Sequence, residues 1–205
     1  MQTDKLLHDF PIISDQIDRR ELRVLMLQLE HRLRENPAGN IVEFGCYVGT
    51  TTLFIRRLCD AYTFAGELHV YDSFAGLPEK THEDSSVVGE QFVAGALQAS
   101  RKTLLQNFKK AGLCPPIVHK NWFNELAPND VPDEIFFAFL DGDYYESIRD
   151  SLRLVTQKLR SQATIIVDDY ANEALPGAAR ATDEWCKNRQ LRPRVEASLA
   201  VIRID

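Results

Sequence analysis

Two short apolar runs, each followed at once by acidic residues, constrain the fold of this chain more than any other feature of its sequence. Residues 135–140 precede an Asp-Gly-Asp triplet at 141–143, and residues 164–167 precede an Asp-Asp doublet at 168–169. Runs this short are typical of central strands of a parallel sheet, because a buried helix would be longer. Ligands of open α/β sheets bind beyond the carboxyl ends of the strands. The pattern therefore predicts four Asp side chains over one site.

A cluster of four carboxylates needs a partner of opposite charge. Like charges repel unless a cation or a proton shares the site. Mg²⁺ prefers oxygen ligands and keeps several waters that a substrate can replace, and Mn²⁺ accepts a similar oxygen shell. We therefore expect a divalent cation here, while any single Asp has the alternative of a helix N-cap or a solvated charge. Asp143 could join the site or cap the following helix, and the cap is favoured because its side chain alternates away from that of Asp141.

The remaining chain alternates strands and helices in the order of βαβ units. The pattern predicts helices over about 14–35, 50–62, 145–159 and 178–189, and one that follows a Gly/Pro-containing stretch to about residue 89 and runs through 110. It predicts strands at 41–44, 68–71, 117–119, 135–140 and 164–167, and a last strand within 197–204. Ser14 or Asp15 is expected to cap the first helix. This order predicts one α/β domain over 1–205, with a mainly parallel central sheet and helices on both faces. The long polar connection over 73–88 predicts a mobile lid.

Composition narrows the class of ligand. The net charge of -6 disfavours binding to nucleic acid or to an anionic membrane, both of which call for a basic surface. Residues 1–10 contain no long apolar stretch, so no signal peptide or anchor is expected. The four cysteines have no metal-like spacing, which favours thiols in a reducing cytosol over a disulfide framework. We therefore expect a cytoplasmic protein with a small-molecule ligand.

The turn after the first predicted strand, Val-Glu-Phe-Gly-Cys-Tyr-Val-Gly-Thr at 42–50, indicates a nucleoside ligand. It lacks the Lys-Ser/Thr of a phosphate loop and the GxGxxG spacing of dinucleotide sites. Glu43 offers a counter-charge for an ammonium group, and Gly45 and Gly49 allow close backbone approach. Asp72 ends the next strand, where a carboxylate can accept both ribose hydroxyl hydrogens. The turn predicts a nucleoside that bears an amino acid; the alternative is a tight turn with packing glycines and a solvated Asp72.

Five segments of this sequence carry a specific resemblance to a known family. They are the turn at 42–49, Tyr-Asp-Ser-Phe-Ala-Gly-Leu-Pro at 71–78, Asn-Trp-Phe at 121–123, Leu-Asp-Gly-Asp-Tyr-Tyr-Glu-Ser at 140–147, and Val-Asp-Asp-Tyr at 167–170. In this order the segments resemble the class I S-adenosylmethionine-dependent methyltransferases, and among them the metal-dependent macrocin O-methyltransferases. The resemblance implies a Rossmann-like domain that uses S-adenosylmethionine and Mg²⁺ to methylate a hydroxyl of a sugar or glycosylated natural product.

The resemblance also implies roles for individual residues. It places Mg²⁺ on Asp141, Asp168 and Asp169, and it makes Asp141 a base for the acceptor hydroxyl. The residues implied at the cofactor are Glu43, Gly45, Tyr47, Gly49, Thr50, Asp72, Ser73, Trp122, Phe123 and Asp141. His82, in the predicted lid, competes for the role of base because an imidazole titrates near neutral pH. The alternative for His82 is an exposed lid residue without a chemical role.

Three other functions stay open at this point. A catechol-type enzyme would use the same metal chelation on a phenolic diol. A metal-dependent hydrolase would also use an Asp cluster, but it needs a basic residue or a phosphate-binding turn beside it. A nonenzymatic nucleoside-binding module would leave the Asp cluster without a purpose. The first helix could pack on its own sheet or on a partner's, and the resemblance favours a homodimer.

Overall fold

The computed structural model describes residues 1–35 and 37–204, so that Asn36 and Asp205 of the predicted 1–205 domain lie outside the described residues. The strands are β1 (Asn40–Phe44), β2 (Leu68–Asp72), β3 (Ile117–Lys120), β4 (Ile135–Leu140), β5 (Leu159–Val167), β6 (Arg194–Glu196) and β7 (Leu199–Arg203). The helices are α1 (Gln2–Asp9), α2 (Arg19–Arg34), α3 (Thr50–Ala61), α4 (Arg101–Ala111), α5 (Tyr145–Thr156) and α6 (Pro176–Lys187). No helix in this described part of the chain has the length and apolar character needed to cross a membrane.

The described strands form one sheet in the order β3-β2-β1-β4-β5-β7-β6. The five strands from β3 to β5 are parallel, whereas β7 runs antiparallel to β5 and β6 antiparallel to β7. The strand order reverses between β1 and β4, and ligands bind at such a switch point. The predicted last strand is β7, and it forms a hairpin with β6, which was not predicted. Ala197 lies between the two strands and adopts a left-handed φ of 56°.

Strand β4 lies at the centre of the sheet and is buried on both faces. Ala138 and Leu140 pack with α5 and α6, whereas Phe137 and Phe139 pack with the first three helices on the other face. All six residues of β4 are buried. Two-sided burial explains why this strand reads as a continuous apolar run, as parallel strands do. The predicted α/β class with helices on both faces is confirmed.

The N-terminal region differs from the prediction. Helix α2 begins at Arg19, after a capping box in which Asp18 and Glu21 bond to each other's backbone N–H groups. The Asp-x-x-Glu pattern is a helix start signal, and it outcompetes Ser14 and Asp15 as the cap. A further helix, α1, was not predicted. Helix α4 begins only at Arg101, after a series of turns.

Helix α1 is held to the domain by a buried carboxylate. Glu30 on α2 is 1% exposed and accepts hydrogen bonds from the backbone N–H groups of Gln2 and Thr3 and from the Tyr62 hydroxyl. Burial acts to raise the pKa of Glu30, but these hydrogen bonds outweigh it and lower the pKa from 4.5 to about 2. Glu30 therefore stabilises the fold only while it is ionised.

We expect Glu30→Gln to lower the free energy of unfolding at pH 7 by up to about 3 kcal/mol, the linkage value of this pKa shift. Because the pKa in the folded state lies below 4.5, the stabilisation is present above pH 4.5 and is lost as the pH falls toward 2. Urea unfolding followed by circular dichroism at pH 7, 4 and 3 measures the difference. Glu35→Gln, at an exposed position after the same helix, is the control. A difference that stays constant down to pH 3 would contradict this account.

Candidate functional site

A cavity of about 510 Å³ lies at the carboxyl ends of the central strands. Gly45 follows β1, Asp72 ends β2, Asp141 follows β4 and Asp168 follows β5, and all four residues line this cavity. Its volume falls in the range of small-molecule sites. The switch point of the sheet therefore forms one site, as the acidic residues after the strands predicted.

Three carboxylates meet on one side of the cavity. Oxygens of Asp141, Asp143 and Asp169 lie within 4.8 Å of one another. Backbone bonds fix the strand ends that carry them, since Asp141 N donates to Phe44 O at 2.8 Å and Asp168 N to Leu140 O at 2.9 Å. A set of half-buried carboxylate oxygens fits a hard divalent cation, which takes oxygen ligands.

The membership of this acidic cluster differs from the prediction at Asp143 and Asp168. Asp143 was expected to cap α5, but its left-handed φ of 59° lets its carboxylate join the cluster. The backbone N–H of Tyr145 donates instead to Asp84, at 2.7 Å. Asp168 lines the cavity but is outside the group of three, and its Oδ1 accepts the N–H of Asp169 at 2.8 Å.

The three clustered carboxylates and the neighbouring Asp168 are electrostatically unfavourable as four separate anions. Burial raises the pKa of Asp141 well above its usual value, and the charges of Asp168, Asp143 and Asp169 raise it further. Burial likewise raises the pKa of Asp143 and Asp168, and it raises that of Asp169 to about 6. Buried like charges favour the uptake of a proton or a cation. The site is therefore suited to hold a positive charge.

Asp72 organises the glycine-containing turn as well as facing the cavity. Its Oδ2 accepts the backbone N–H groups of Cys46 at 2.9 Å and Tyr47 at 3.0 Å, and its Oδ1 accepts that of Phe74 at 2.7 Å. Each carboxylate oxygen offers about two acceptor positions. Asp72 therefore has capacity for one more hydrogen bond, at Oδ1, rather than for the two ribose hydroxyls expected from the sequence.

Gly45 lets the turn approach the neighbouring strand. Its φ is +85°, and a Cβ at this position would lie 1.7 Å from the carbonyl oxygen of Asp141. Only glycine, which has no Cβ, allows this contact. Tyr47 and Ser73 also line the cavity, as their place at the implied cofactor requires.

Three predicted cofactor-binding residues lie outside the cavity lining. Glu43 is fully buried, and its carboxylate accepts the hydroxyls of Thr51 and Thr52 on α3, so it does not face an ammonium group of a ligand. Burial raises the pKa of Glu43 to about 7. Gly49 packs against α4, and the hydroxyl of Thr50 pairs with that of Ser14 at 2.8 Å. The contacts that these three residues make in the structure are with other parts of the protein, and their role at the cofactor stays a prediction.

The aromatic residues after β3 form another wall. Trp122 and Phe123 line the cavity, and the Phe123 ring packs edge-on against Phe44 with centroids 5.2 Å apart. Sequence reasoning did not assign several further lining residues, which are Asp15, Gln16, Glu21, Gly76, Leu77, Pro78, Phe92, Leu97, Asn124, Glu125, Gly142, Glu146, Ser147, Asp150, Asn172 and Leu175. For Ser147 and Asp150 a signal exists, since positions three apart on a helix share a face.

His82, the second predicted base, is exposed and is not among the residues that line the cavity. It lies in a short 3-10 helix, His82–Asp84, whose last residue, Asp84, anchors the helix to the rest of the domain. Asp84 is buried and bonds to Thr81 and to the first turn of α5. These contacts explain why the imidazole stays outside the site. Movement of the 73–88 connection as a lid stays a prediction.

Comparisons with known proteins agree with this architecture. The model of the macrocin-O-methyltransferase family matches residues 5–201. The chain is 29% identical over 173 residues to the 8-demethyl-8-(2,3-dimethoxy-alpha-L-rhamnosyl)-tetracenomycin-C 4'-O-methyltransferase of Streptomyces olivaceus, with 81% of this chain and 66% of that relative covered. It is 27% identical over 206 residues to the mycinamicin III 3''-O-methyltransferase of Micromonospora griseorubida, covering 96% and 78%.

A solved structure supports the fold independently of these relatives. The O-methyltransferase NovP superposes with a TM-score of 0.80 at 23% identity, over 99% of this chain and 87% of that one. The chain therefore spans about two thirds of the first relative's length but most of the length of this solved neighbour.

Proposed function

The chain belongs to the macrocin-O-methyltransferase family, and from this premise we propose that it transfers the methyl group of S-adenosylmethionine to a hydroxyl of a sugar carried by a natural product. One observation carries the proposal: a single cavity joins the glycine-containing turn at Gly45 to the acidic cluster. The names of two relatives describe O-methylation of a tetracenomycin with a rhamnosyl group and of mycinamicin III.

The methyl donor would occupy the side of the cavity formed by the turn. Gly45 and Tyr47 offer close backbone approach, and Asp72 holds the turn while keeping one acceptor position for a ribose hydroxyl. Trp122 and Phe123 offer flat apolar surfaces for the adenine ring. A donor bound in this way would present its methyl group to the part of the cavity that contains the acidic cluster.

The reacting hydroxyl would lie beside Asp141. As the oxygen–methyl bond forms and the sulfur–methyl bond breaks, the hydroxyl must give up its proton, and the Asp141 carboxylate would accept it. S-adenosylhomocysteine then leaves with the methylated product. The reaction needs the two substrates in line, and such positioning is a large part of the catalytic effect.

The acidic cluster would hold Mg²⁺ through Asp141, Asp143 and Asp169. Asp168 supports this arrangement because its carboxylate accepts the backbone N–H of Asp169. When bound, Mg²⁺ supplies Lewis acidity that lowers the pKa of an acceptor hydroxyl. A hydrolase built on the same cluster needs a basic residue beside it, and the described cavity lining contains no Lys, Arg or His. This lining and the family membership both favour methyl transfer.

The test is methyl transfer from S-adenosylmethionine to a panel of glycosides that includes methyl α-L-rhamnoside, chosen for the rhamnosyl group in one relative's name. We expect a methylated sugar and S-adenosylhomocysteine in equal amounts, with activity abolished by excess chelator and restored by Mg²⁺. Calorimetric titration with S-adenosylhomocysteine is expected to give micromolar affinity, about -8 kcal/mol, and none for NADH.

Different failures would contradict different parts of the proposal. If folded protein does not bind S-adenosylhomocysteine, the methyl donor is wrong. Methylation of catechols but not of glycosides would favour the phenolic acceptor instead. Full activity in excess chelator would show that the reaction does not depend on Mg²⁺.

A further inference from the structure

A strip of three exposed valines borders the cavity. Val87, Val88 and Val93 are 94%, 53% and 56% exposed, although large apolar side chains are usually buried. Phe92 N donates to Gly89 O at 3.2 Å, so that Val88 and Val93 flank a single turn. Contiguous exposed apolar surface typically marks a site of interaction.

The valine strip is continuous with an apolar wall of the cavity. Phe92, between the valines, lines the cavity together with Leu97 and Leu175. These side chains belong to one apolar cluster around Leu77 and Tyr144. A ligand that extends out of the cavity along this wall would therefore contact the strip next.

Hydrogen bonds and close packing hold the strip beside the cavity. The Ser86 hydroxyl donates to Glu173 O at 2.7 Å, and Lys80 Nζ donates to Gly89 O at 2.6 Å. Gly89 packs so closely on the Ala174 backbone that a Cβ would lie 2.3 Å from its carbonyl oxygen. The strip is thus part of a built surface that continues into the loop ending at Leu175.

The charge of the cavity restricts what can enter it. Ten carboxylates and no Lys, Arg or His occur among the described lining residues. Phosphate groups are bound by Arg, Lys or clustered N–H donors, and a carboxylate-lined cavity repels them. Even with Mg²⁺ on the acidic cluster, carboxylates such as Asp15 and Glu125 remain on other walls. An acceptor that fits is uncharged or cationic.

We propose that the valine strip binds the nonpolar aglycone of the acceptor, while its phosphate-free sugar enters the cavity. The inference rests on the proposed function. A cavity of about 510 Å³ has to receive both the methyl donor and the reacting ring, so the remainder of a larger acceptor lies at the mouth. The substrate would then be supplied by a glycosyl transfer that has already joined the sugar to its aglycone, rather than as a nucleotide-linked sugar.

The test compares three probes by calorimetry in the presence of S-adenosylhomocysteine and Mg²⁺: octyl α-L-rhamnoside below its micellar concentration, methyl α-L-rhamnoside, and L-rhamnose 1-phosphate. We expect the octyl glycoside to bind at least tenfold more tightly than the methyl glycoside, because buried methylene groups add affinity. The phosphate is expected to bind at least tenfold more weakly than the methyl glycoside.

Surface variants test whether the valine strip is responsible for the tighter binding of the octyl glycoside. In the triple variant Val87→Ser/Val88→Ser/Val93→Ser the octyl-to-methyl ratio is expected to fall below threefold. The double variant Ile117→Ser/Val195→Ser is the matched control, because these residues are 42% and 49% exposed on the edge strands β3 and β6. It is expected to keep the full ratio, and all variants are expected to bind S-adenosylhomocysteine as the wild type does.

Several results would overturn the inference. They are equal binding of the two glycosides, an unchanged ratio in the triple variant, tighter binding of the phosphate, or a wild-type dimer that the triple variant dissociates. Equal, measurable binding of both glycosides leaves the proposed sugar acceptor intact. If neither glycoside binds although S-adenosylhomocysteine does, the sugar acceptor itself falls together with the inference.

Discussion

Replacing Asp141 by Asn is expected to lower kcat by about a thousandfold, within the 10²–10⁴ range of general acid–base catalysis, while the affinity for S-adenosylhomocysteine changes by less than about threefold. The Asn side chain has nearly the same shape but accepts no proton from the acceptor hydroxyl. It also removes one of the three clustered carboxylates. The methyl donor is held mainly by the turn and by Asp72, which this substitution leaves in place. Steady-state kinetics with the best glycoside, and calorimetry, measure the two quantities.

Two control variants separate this role from a general effect of charge. Glu146→Gln removes the same charge from the lining of the same cavity, outside the acidic cluster, and is expected to keep kcat within about threefold. His82→Ala is expected to keep full activity, because His82 is exposed and is not among the residues that line the cavity. If Asp141→Asn keeps more than a tenth of the activity, or if His82→Ala loses it, the base has been wrongly assigned.

The central strands and the acidic residues that follow them could be predicted, because the packing of a parallel sheet produces a recognisable pattern in the local sequence. Burial on two faces makes β4 continuously apolar, and parallel strands bring the residues at 141–143 and 168–169 to the same edge. Which carboxylates converge depends on backbone conformation. Asp143 joins the group through a left-handed φ that Asp tolerates but does not require, so the sequence alone favoured a helix cap.

The partners of the buried polar groups could not be predicted. A sequence shows that Glu43 is acidic but not that the hydroxyls of Thr51 and Thr52 will occupy its carboxylate. It likewise shows Asp72 at a strand end but not the three backbone N–H groups that it accepts. Asp15 reaches the cavity from a loop more than 100 residues away from the acidic cluster, and no local pattern marks such a contact.

Replacing Gly45 by Ala is expected to raise the Kd for S-adenosylhomocysteine at least tenfold and to lower the free energy of unfolding by more than about 2 kcal/mol, the upper cost of a left-handed residue alone. A Cβ at this position would lie 1.7 Å from the carbonyl oxygen and 2.8 Å from the carbonyl carbon of Asp141. Both atoms belong to the backbone, so no side-chain rotation relieves the overlap. The turn and the end of β4 must separate, and this movement displaces the cofactor side of the cavity from Asp141.

The matched control is Gly112→Ala, because Gly112 also has a left-handed φ, +67°, but a Cβ there would meet no atom within 4 Å. This variant is expected to lose only about 1–2 kcal/mol of stability, from the conformation itself, and to bind S-adenosylhomocysteine normally. Urea unfolding and calorimetry on both variants separate conformational strain from the overlap with Asp141. If the two variants lose equal stability and both bind S-adenosylhomocysteine normally, close approach at Gly45 is not what joins the cofactor turn to the acidic cluster. A selective loss in Gly45→Ala would instead tie binding of the methyl donor to the contact between the ends of β1 and β4.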